Sequence, residues 1–334
     1  MVQWHKDIAQ LTIPTPFAVG DVHVYVIRDE KITLVDTGAK TKEGWKTLKE
    51  QLTAIGLSVG DIEQIVLTHH HPDHAGLIDS FPQAEILGAK EGERFLLRDE
   101  GFMKEHDAFY TSFFRQMGLP DAFFVLIEKM KEPLQILGNR GLDLKLDHQQ
   151  KIPGASDWRV INTPGHAQGH ISLFRSKDGC MIGGDMLLEK VSSNPLIEPP
   201  FNRGGERPIP QLQYNQSLKR LLDLPISLLL PGHGGVIEQP HPLIHHRLKK
   251  QHERALHVKH LLAQKESTAF DICVRLFPQV YRKQLGLTLS ETMAQLDYLL
   301  SIGEIECADQ AGDAFIYKAL ANEKELEYEQ GFNR

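Results

Sequence analysis

The run Thr68-His69-His70-His71-Pro72-Asp73-His74 follows the short apolar stretch Ile65-Val66-Leu67. An apolar strand that ends in such a run delivers its side chains into a loop at the strand's end. Residues two apart in an extended segment point the same way, so His69 and His71 can share one metal ion. Asp73 and His74 follow at a turn begun by Pro72 and can serve a second ion beside the first. Imidazole with carboxylate suits zinc, iron or manganese better than calcium or magnesium. Three further loops have the same character. Thr163-Pro164-Gly165-His166 and Pro231-Gly232-His233-Gly234-Gly235 each bring one histidine up after an apolar run, and Gly183-Gly184-Asp185 brings a carboxylate. Glycine lets the backbone turn sharply beside a crowded centre. One such histidine means little; four strand-end loops that each offer His or Asp point to metal-assisted chemistry.

The elements that must position these groups read as alternating strands and helices. Val22–Ile27 and Ile32–Val35 read as strands, the second ending in Asp36-Thr37-Gly38, and residues 42–56 read as an amphipathic helix stopped by Gly56. Strands resume at Arg159–Asn162, His170–Phe174, Cys180–Gly183 and Ile226–Leu230. The alternation predicts α/β layering. Residues 99–140 are helical in tendency and carry Phe102, Phe109, Tyr110, Phe113, Phe114, Phe123 and Phe124. These are either an ordinary small helical core or a lid whose apolar inner face meets substrate. A Pro/Gly/Arg loop spans about 192–210. After Pro240, helices fit 243–264, 268–277 and 289–301, the last opened by a capping box of Thr288 and Glu291 and closed by Gly303. Strands at Glu304–Cys307 and Ala314–Ala319 complete a winged-helix-like unit.

The pattern His69-x-His71-x-Asp73-His74, then His166, Asp185 and His233, with Val35-Asp36-Thr37-Gly38 in support, resembles the metallo-β-lactamase superfamily over residues from about 8 to 240. The resemblance implies an αββα sandwich with a dinuclear site at one edge, here with a helical lid insertion and a C-terminal winged-helix-like domain. It implies a catalytic domain over 1–240, with the insertion at about 99–140, and a C-terminal domain over 243–320. It further implies that His69, His71 and His166 hold one metal, that Asp73, His74 and His233 hold the other, and that Asp185 bridges. Asp36 would orient a ligand by hydrogen bond. Asp73, able also to receive or relay a proton, and Asp36 are the candidate catalytic residues. His70 should face away from the ions, and His170 is read as supporting or structural.

The expected cofactors are two divalent metal ions, zinc first, with iron or manganese as alternatives. A bound metal brings the pKa of water down towards about 7, so a metal-bound hydroxide becomes the nucleophile. No G-x-S-x-G elbow occurs. Within the superfamily, true β-lactamases of the main zinc class need Cys or His where Asp185 stands. Lactone hydrolases place Tyr where Leu188 stands. Residues 243–320 look like the tail of hydrolases related to glyoxalase II, so the chain resembles that glyoxalase-II-like branch. The expectation is a hydrolase acting on a small-molecule ester or thioester, with an apolar acyl part that suits aromatic walls. The alternative is a phosphodiesterase or ribonuclease acting on nucleic acid. A third reading is a metal-dependent binding protein with an idle site. Arg203 or Arg207 could clamp an anionic substrate group, and Tyr214 could reach the metals; the plainer reading of both arginines is a solvated loop.

Composition narrows the partners. The chain has 334 residues and a net charge of −7, so no global basic field attracts nucleic acid or anionic lipid. Residues 245–285 carry net +6 and residues 286–334 net −7, and the helix Glu291–Leu300 that would read a groove has neither Lys nor Arg. The tail is therefore read as a packing or homodimerisation module, with nucleic-acid binding the minority view. No apolar run is long enough for a membrane helix, so no membrane partner is expected. The start MVQWHKDIAQ lacks the marks of a secretory leader, and Cys180, Cys273 and Cys307 are too few and too scattered for a disulfide framework. Both fit a cytoplasmic protein.

Overall fold

The computed structural model describes residues 2–321; the acidic residues counted beyond them lie outside the described residues. The first sheet is built from β1 (Gln3–His5), β2 (Ile8–Ile13), β3 (Val22–Arg28), β4 (Ile32–Val35), β5 (Gln64–Val66), β6 (Glu85–Gly88) and β7 (Leu144–Lys145), in that spatial order. Pairing is antiparallel from β1 to β4 and parallel from β4 to β7. Helices α1 (Lys42–Ala54), α2 (Pro72–Ala75), α3 (Glu93–Leu97), α4 (Glu100–Gln116) and α5 (Val125–Lys131) interrupt it. The second sheet runs β13-β12-β11-β10-β9-β8. Its strands are β8 (Lys151–Ile152), β9 (Ala155–Asn162), β10 (Ile171–Arg175), β11 (Cys180–Gly184), β12 (Leu228–Pro231) and β13 (Ile237–Glu238), with α6 (Pro210–Leu222) between β11 and β12. Helices α7 (His241–Gln264), α8 (Ala269–Leu276) and α9 (Leu285–Ser301) and the ribbon β14 (Ile305–Ala311)–β15 (Ala314–Ala319) follow.

Period-two alternation explains the layers. In β3, Val22, Val24 and Val26 face α1, while Tyr25 and Ile27 face the second sheet. Tyr25, Val35, Val66 and Leu87 meet Trp158, Val160, Leu173 and Ile182 between the sheets. On the far side Ile161, Phe174, Met181 and Leu229 pack against Tyr214, Leu218 and Leu221 of α6. The result is the expected αββα sandwich. Both faces of each sheet are covered, which is why β3 is apolar on both faces except at His23 and Arg28.

The helical insertion and the C-terminal helices share one core. Tyr110, Phe113, Phe114 and Ile127 pack with Val258, Ile272, Leu289, Met293 and Leu296. Most of the aromatics of 99–140 are therefore core residues rather than a free wall. The third tail helix also begins earlier than its sequence cue. It starts at Leu285, and the Thr288 hydroxyl donates back to the carbonyls of Gln284 and Leu285 instead of capping. Glu291 pairs with Arg254 on α7. Burial of Leu285 and Leu289 draws an extra turn into the helix. No described helix is long and apolar enough to cross a membrane.

At the C-terminal end of β10, remote from the ligand loops, Arg175 is 2% exposed and lies 4.8 Å from the Trp158 ring centroid. Its guanidinium donates to Asp7 at 2.6 and 2.7 Å and to Asp178 at 2.9 and 3.1 Å. Burial alone would raise the Asp178 carboxyl, but Arg175 and Lys6 override it and hold it at about 2. That lies below the unfolded value of about 3.9. The contribution is present above about pH 4 and disappears as pH falls towards 2. Asp178→Asn should therefore cost about 1 kcal/mol at pH 7. The gap between the urea midpoints of the two proteins should shrink as pH falls below about 4 and close only below about pH 2; a gap that stays constant with pH would refute the assignment.

Candidate metal centre

The ligand loops leave the C-terminal ends of β4, β5, β9, β11 and β12, which the topology gathers at one edge of the sandwich. The edge is sewn together by Ile171 N–H donating to Thr68 C=O at 2.8 Å. Asp36, directly after β4, has φ 60° and only 2% exposure. Its carboxylate accepts from Thr68 N and Thr68 Oγ1, both at 2.7 Å, and from His74 Nδ1 at 2.8 Å. A left-handed conformation at a non-glycine residue is uncommon and persists where surrounding contacts over-determine it. Two glycines are forced by crowding. A Cβ on Gly232 would lie 2.2 Å from Asp185 Oδ1 and 2.8 Å from the His74 ring. Gly184, with φ +52°, would meet Thr68 Cβ at 2.8 Å.

The structure brings His69, His71, Asp73, His74, His166, Asp185 and His233 into one cluster, all buried but the half-buried His71. Ligand atoms of His69, His71 and His166 lie within 4.8 Å of one another, as do those of Asp73, His74 and His233. Asp185 spans the two groups. Its Oδ1 is 3.4 Å from His74 Nε2, and its Oδ2 is 3.5 Å from His166 Nε2 and 3.6 Å from His233 Nε2. Asp73 Oδ2 lies 3.2 Å from His233 Nε2. His71 Nδ1 faces His166 Nε2 at 2.9 Å.

The outer nitrogens of four of these rings are spoken for. His69 Nδ1 meets Thr68 Oγ1 at 3.1 Å, His74 Nδ1 meets Asp36, His166 Nδ1 donates to Asn194 C=O at 3.0 Å, and His233 Nδ1 donates to Asp21 C=O at 2.8 Å. Four of the inward atoms are not. His69 Nε2, His74 Nε2, His233 Nε2 and Asp185 Oδ1 are buried without a hydrogen-bond partner. Buried polar atoms are nearly always paired, so four convergent orphans mark a place for cations. The donor set, imidazole nitrogen with carboxylate oxygen, fits transition-metal dications.

The electrostatics agree. Burial lowers the His69 pKa far below its usual value, helped by the neighbouring His74 and His71 rings, and pushes His166 down to about 4. Burial would do the same to His74, but Asp185, Asp36 and Asp73 outweigh it and raise it well above the ordinary range. Burial opposes ionisation of Asp185, yet His74 and His233 hold its carboxyl far below the usual range. The carboxylates thus demand positive charge at the cluster's centre.

Other sequence-singled residues fall elsewhere. His70 points away and stacks on Phe95 with ring centroids 4.0 Å apart. His170 receives the Asp185 backbone N–H on Nε2 at 3.0 Å and contacts Thr163 Oγ1 through Nδ1 at 2.8 Å, so it braces the Asp185 loop. Arg207 is committed to Asp297 by two bonds of 2.7 and 2.8 Å, which removes it as a substrate clamp. Arg203 pairs with Glu105 and is 75% exposed. Tyr214 is fully buried in the α6 core. Sequence reasoning missed Glu198, which is buried and lies 3.0 Å from His70 Nε2 and 3.6 Å from His71 Nε2. The only sequence signal was an acidic residue inside the apolar run Pro195-Leu-Ile-Glu-Pro-Pro200.

Comparison with known proteins gives a consistent picture. The family model of the metallo-beta-lactamase superfamily matches residues 18–233. The chain is 40% identical to the "Probable metallo-hydrolase YqjP" of Bacillus subtilis (strain 168) over 88% of its own length and 92% of that protein's. It is 28% identical to a "Beta-lactamase-like protein 2 homolog" of Caenorhabditis elegans, over 78% of this chain and 72% of that one. Among solved structures, a metallo-beta-lactamase family protein from Thermus thermophilus superposes with TM-score 0.80 at 28% identity, covering 94% of this chain and 99% of that one. A beta-lactamase domain protein from Burkholderia ambifaria shares the fold with TM-score 0.77 at 22% identity, covering 95% and 94%. A transition-metal donor set at the edge of an αββα sandwich and a family match over most of the chain lead to one conclusion: this chain belongs to the metallo-β-lactamase superfamily.

Proposed function

We propose that this metal-dependent hydrolase holds two divalent ions, zinc first, one on His69, His71 and His166 and one on Asp73, His74 and His233, with Asp185 between them, and cleaves a small-molecule ester or thioester. The observation that carries the reading is the convergence of four buried, unpartnered ligand atoms from three loops. Ions bound there supply Lewis acidity and make water acidic enough to attack near neutral pH. The chain's own groups do the rest. Asp36 fixes the tautomer of His74, and Thr68 does the same for His69. Asp73, through Oδ2 beside His233, is placed to take up a proton as water is consumed. Burial of the cluster keeps bulk water out and strengthens every charge interaction within it.

Several features support an apolar acyl substrate. Val191 and Leu287 are 51% and 46% exposed; Val191 precedes the segment that supplies the Asn194 carbonyl, and the Asn194 amide donates to the Leu287 carbonyl. Val19, 43% exposed, lies on the loop whose Asp21 carbonyl orients His233. Nucleic acid is disfavoured because α7 spends its cations internally. Lys249 and Lys250 pair with Glu253, Arg254 with Glu291 and Lys259 with Glu304. We assign the chain to the glyoxalase-II-like branch, with residues 1–240 as the catalytic domain and 243–320 as a winged-helix-like packing or dimerisation module.

The test is a side-by-side assay of metal-loaded protein on acyl thioesters, lactones, phosphodiester reporters and single-stranded RNA, each with a chelator control. Chelator-sensitive thioester hydrolysis is expected, with octanoyl preferred over acetyl by about tenfold or more, since each buried methylene contributes ~0.8 kcal/mol. Turnover of RNA without turnover of any acyl substrate would overturn the reading.

A further inference from the structure

Four of the five ligand imidazoles have an evident acceptor for the nitrogen that faces away from the centre: Thr68, Asp36, and the carbonyls of Asp21 and Asn194. His71 is the fifth. Its inward atom is Nδ1, so Nε2 must find an acceptor outside. The group that faces it is Glu198 Oε1, at 3.6 Å. We propose that Glu198 is a positioning residue for His71, and that the segment 192–207 is a strap holding two of the three ligands of one ion. The inference rests on the metal assignment above.

The strap carries both acceptors within five residues: the Asn194 carbonyl for His166 and the Glu198 carboxylate for His71. Glu198 is 4% exposed, and a buried carboxylate persists only when it is paired and hydrogen-bonded. Oε2 accepts from Gln168 N at 2.9 Å and Gln168 Nε2 at 3.2 Å. Oε1 lies 3.0 Å from His70 Nε2, whose ring is immobilised on Phe95. His70 thus aims the carboxylate, and the same oxygen, Oε1, faces His71 Nε2 at 3.6 Å. A carboxylate behind a ligand imidazole fixes the tautomer and raises the basicity of the coordinating nitrogen.

The strap is fastened from both helical units. Tyr110 on α4 donates to the Ile197 carbonyl at 2.8 Å, Asn194 Nδ2 donates to the Leu287 carbonyl at 3.2 Å, and Arg207 is locked to Asp297 on α9. The insertion and the tail therefore contribute to one half of the centre without touching it.

The test is the affinity of each metal equivalent, read by titrating chelator-stripped protein with Co(II) or Zn(II) against a competing chelator. In Glu198→Gln one equivalent should weaken by about 10–100-fold while the other is unchanged. Asn194→Ala, which loosens the strap from α9 but leaves Glu198 in place, should weaken the same equivalent severalfold and guards against misfolding of the first variant. Two equivalents of unaltered affinity in both variants, with only a lower melting temperature, would show that Glu198 is merely structural and overturn the proposal. A third equivalent in the wild type, lost in Glu198→Gln, would overturn it too, because His70, His71 and Glu198 would then be ligands themselves. Failure of the wild type to bind any ion would instead refute the metal assignment.

Discussion

Asp185→Asn should lower kcat/KM by at least about 10²–10³-fold, the scale on which a preorganised charge in a dry site acts. The substitution keeps shape and removes charge, so the sandwich should still form. What changes is the balance at the centre. Asp185 is 6% exposed and its oxygens lie 3.4–3.6 Å from the inward nitrogens of His74, His166 and His233. Among the described residues, no other carboxylate spans both sets of ligands. An amide offers a single weak oxygen donor and turns an N–H₂ towards the cations. Metal content should fall from two ions to one or none, which elemental analysis reads directly. A variant that retained both ions and full hydrolysis would show that the two halves of the centre do not depend on this carboxylate.

Asp36→Asn should weaken metal binding by about 10–100-fold, although Asp36 never faces the cluster's interior. Its carboxylate accepts three hydrogen bonds, two from Thr68 and one from His74. An amide can accept only through its oxygen. If the oxygen serves the Thr68 backbone N–H, the N–H₂ takes the place of Oδ2 and confronts His74 Nδ1, which then has to accept. The proton moves to Nε2, the atom that has to ligate. A comparable tautomer error in a catalytic triad lowers kcat about 10⁴-fold. Asn also tolerates the left-handed backbone at this position, so strain is not the cause of the loss. The check is twofold: the affinity of each equivalent, and the ¹⁵N shifts of the His74 ring. Unchanged affinity with Nδ1 still protonated would contradict the orienting role.

How much could be read from residues alone follows from distance along the chain. His69, His71, Asp73 and His74 are local, and their pattern after Ile65-Val66-Leu67 is legible without any fold. His166, Asp185 and His233 become legible because each stands in a Gly-rich loop after an apolar run. The layers were legible for the same reason, since β3 and β10 alternate between two buried faces. Partners far apart in sequence were not. Glu198 stands among prolines, and its meaning depends on His70 and His71 from another loop. Arg207 looked like a loop arginine because Asp297, which claims it, lies 90 positions later. The aromatics of 99–140 announced a core or a wall; only the contact with Val258, Ile272 and Met293 decided for a core. The start of α9 was misplaced because Thr288 and Glu291 fit a capping box locally, whereas tertiary burial of Leu285 and Leu289 extends the helix past it.

The anomalous difference map of crystals grown with zinc or manganese is the most direct test. Two peaks are predicted, one enclosed by His69, His71 and His166, the other by Asp73, His74 and His233, with the Asp185 carboxylate between them. A map with no peak at this edge of the sandwich, or with ions bound only by other side chains, would contradict the account.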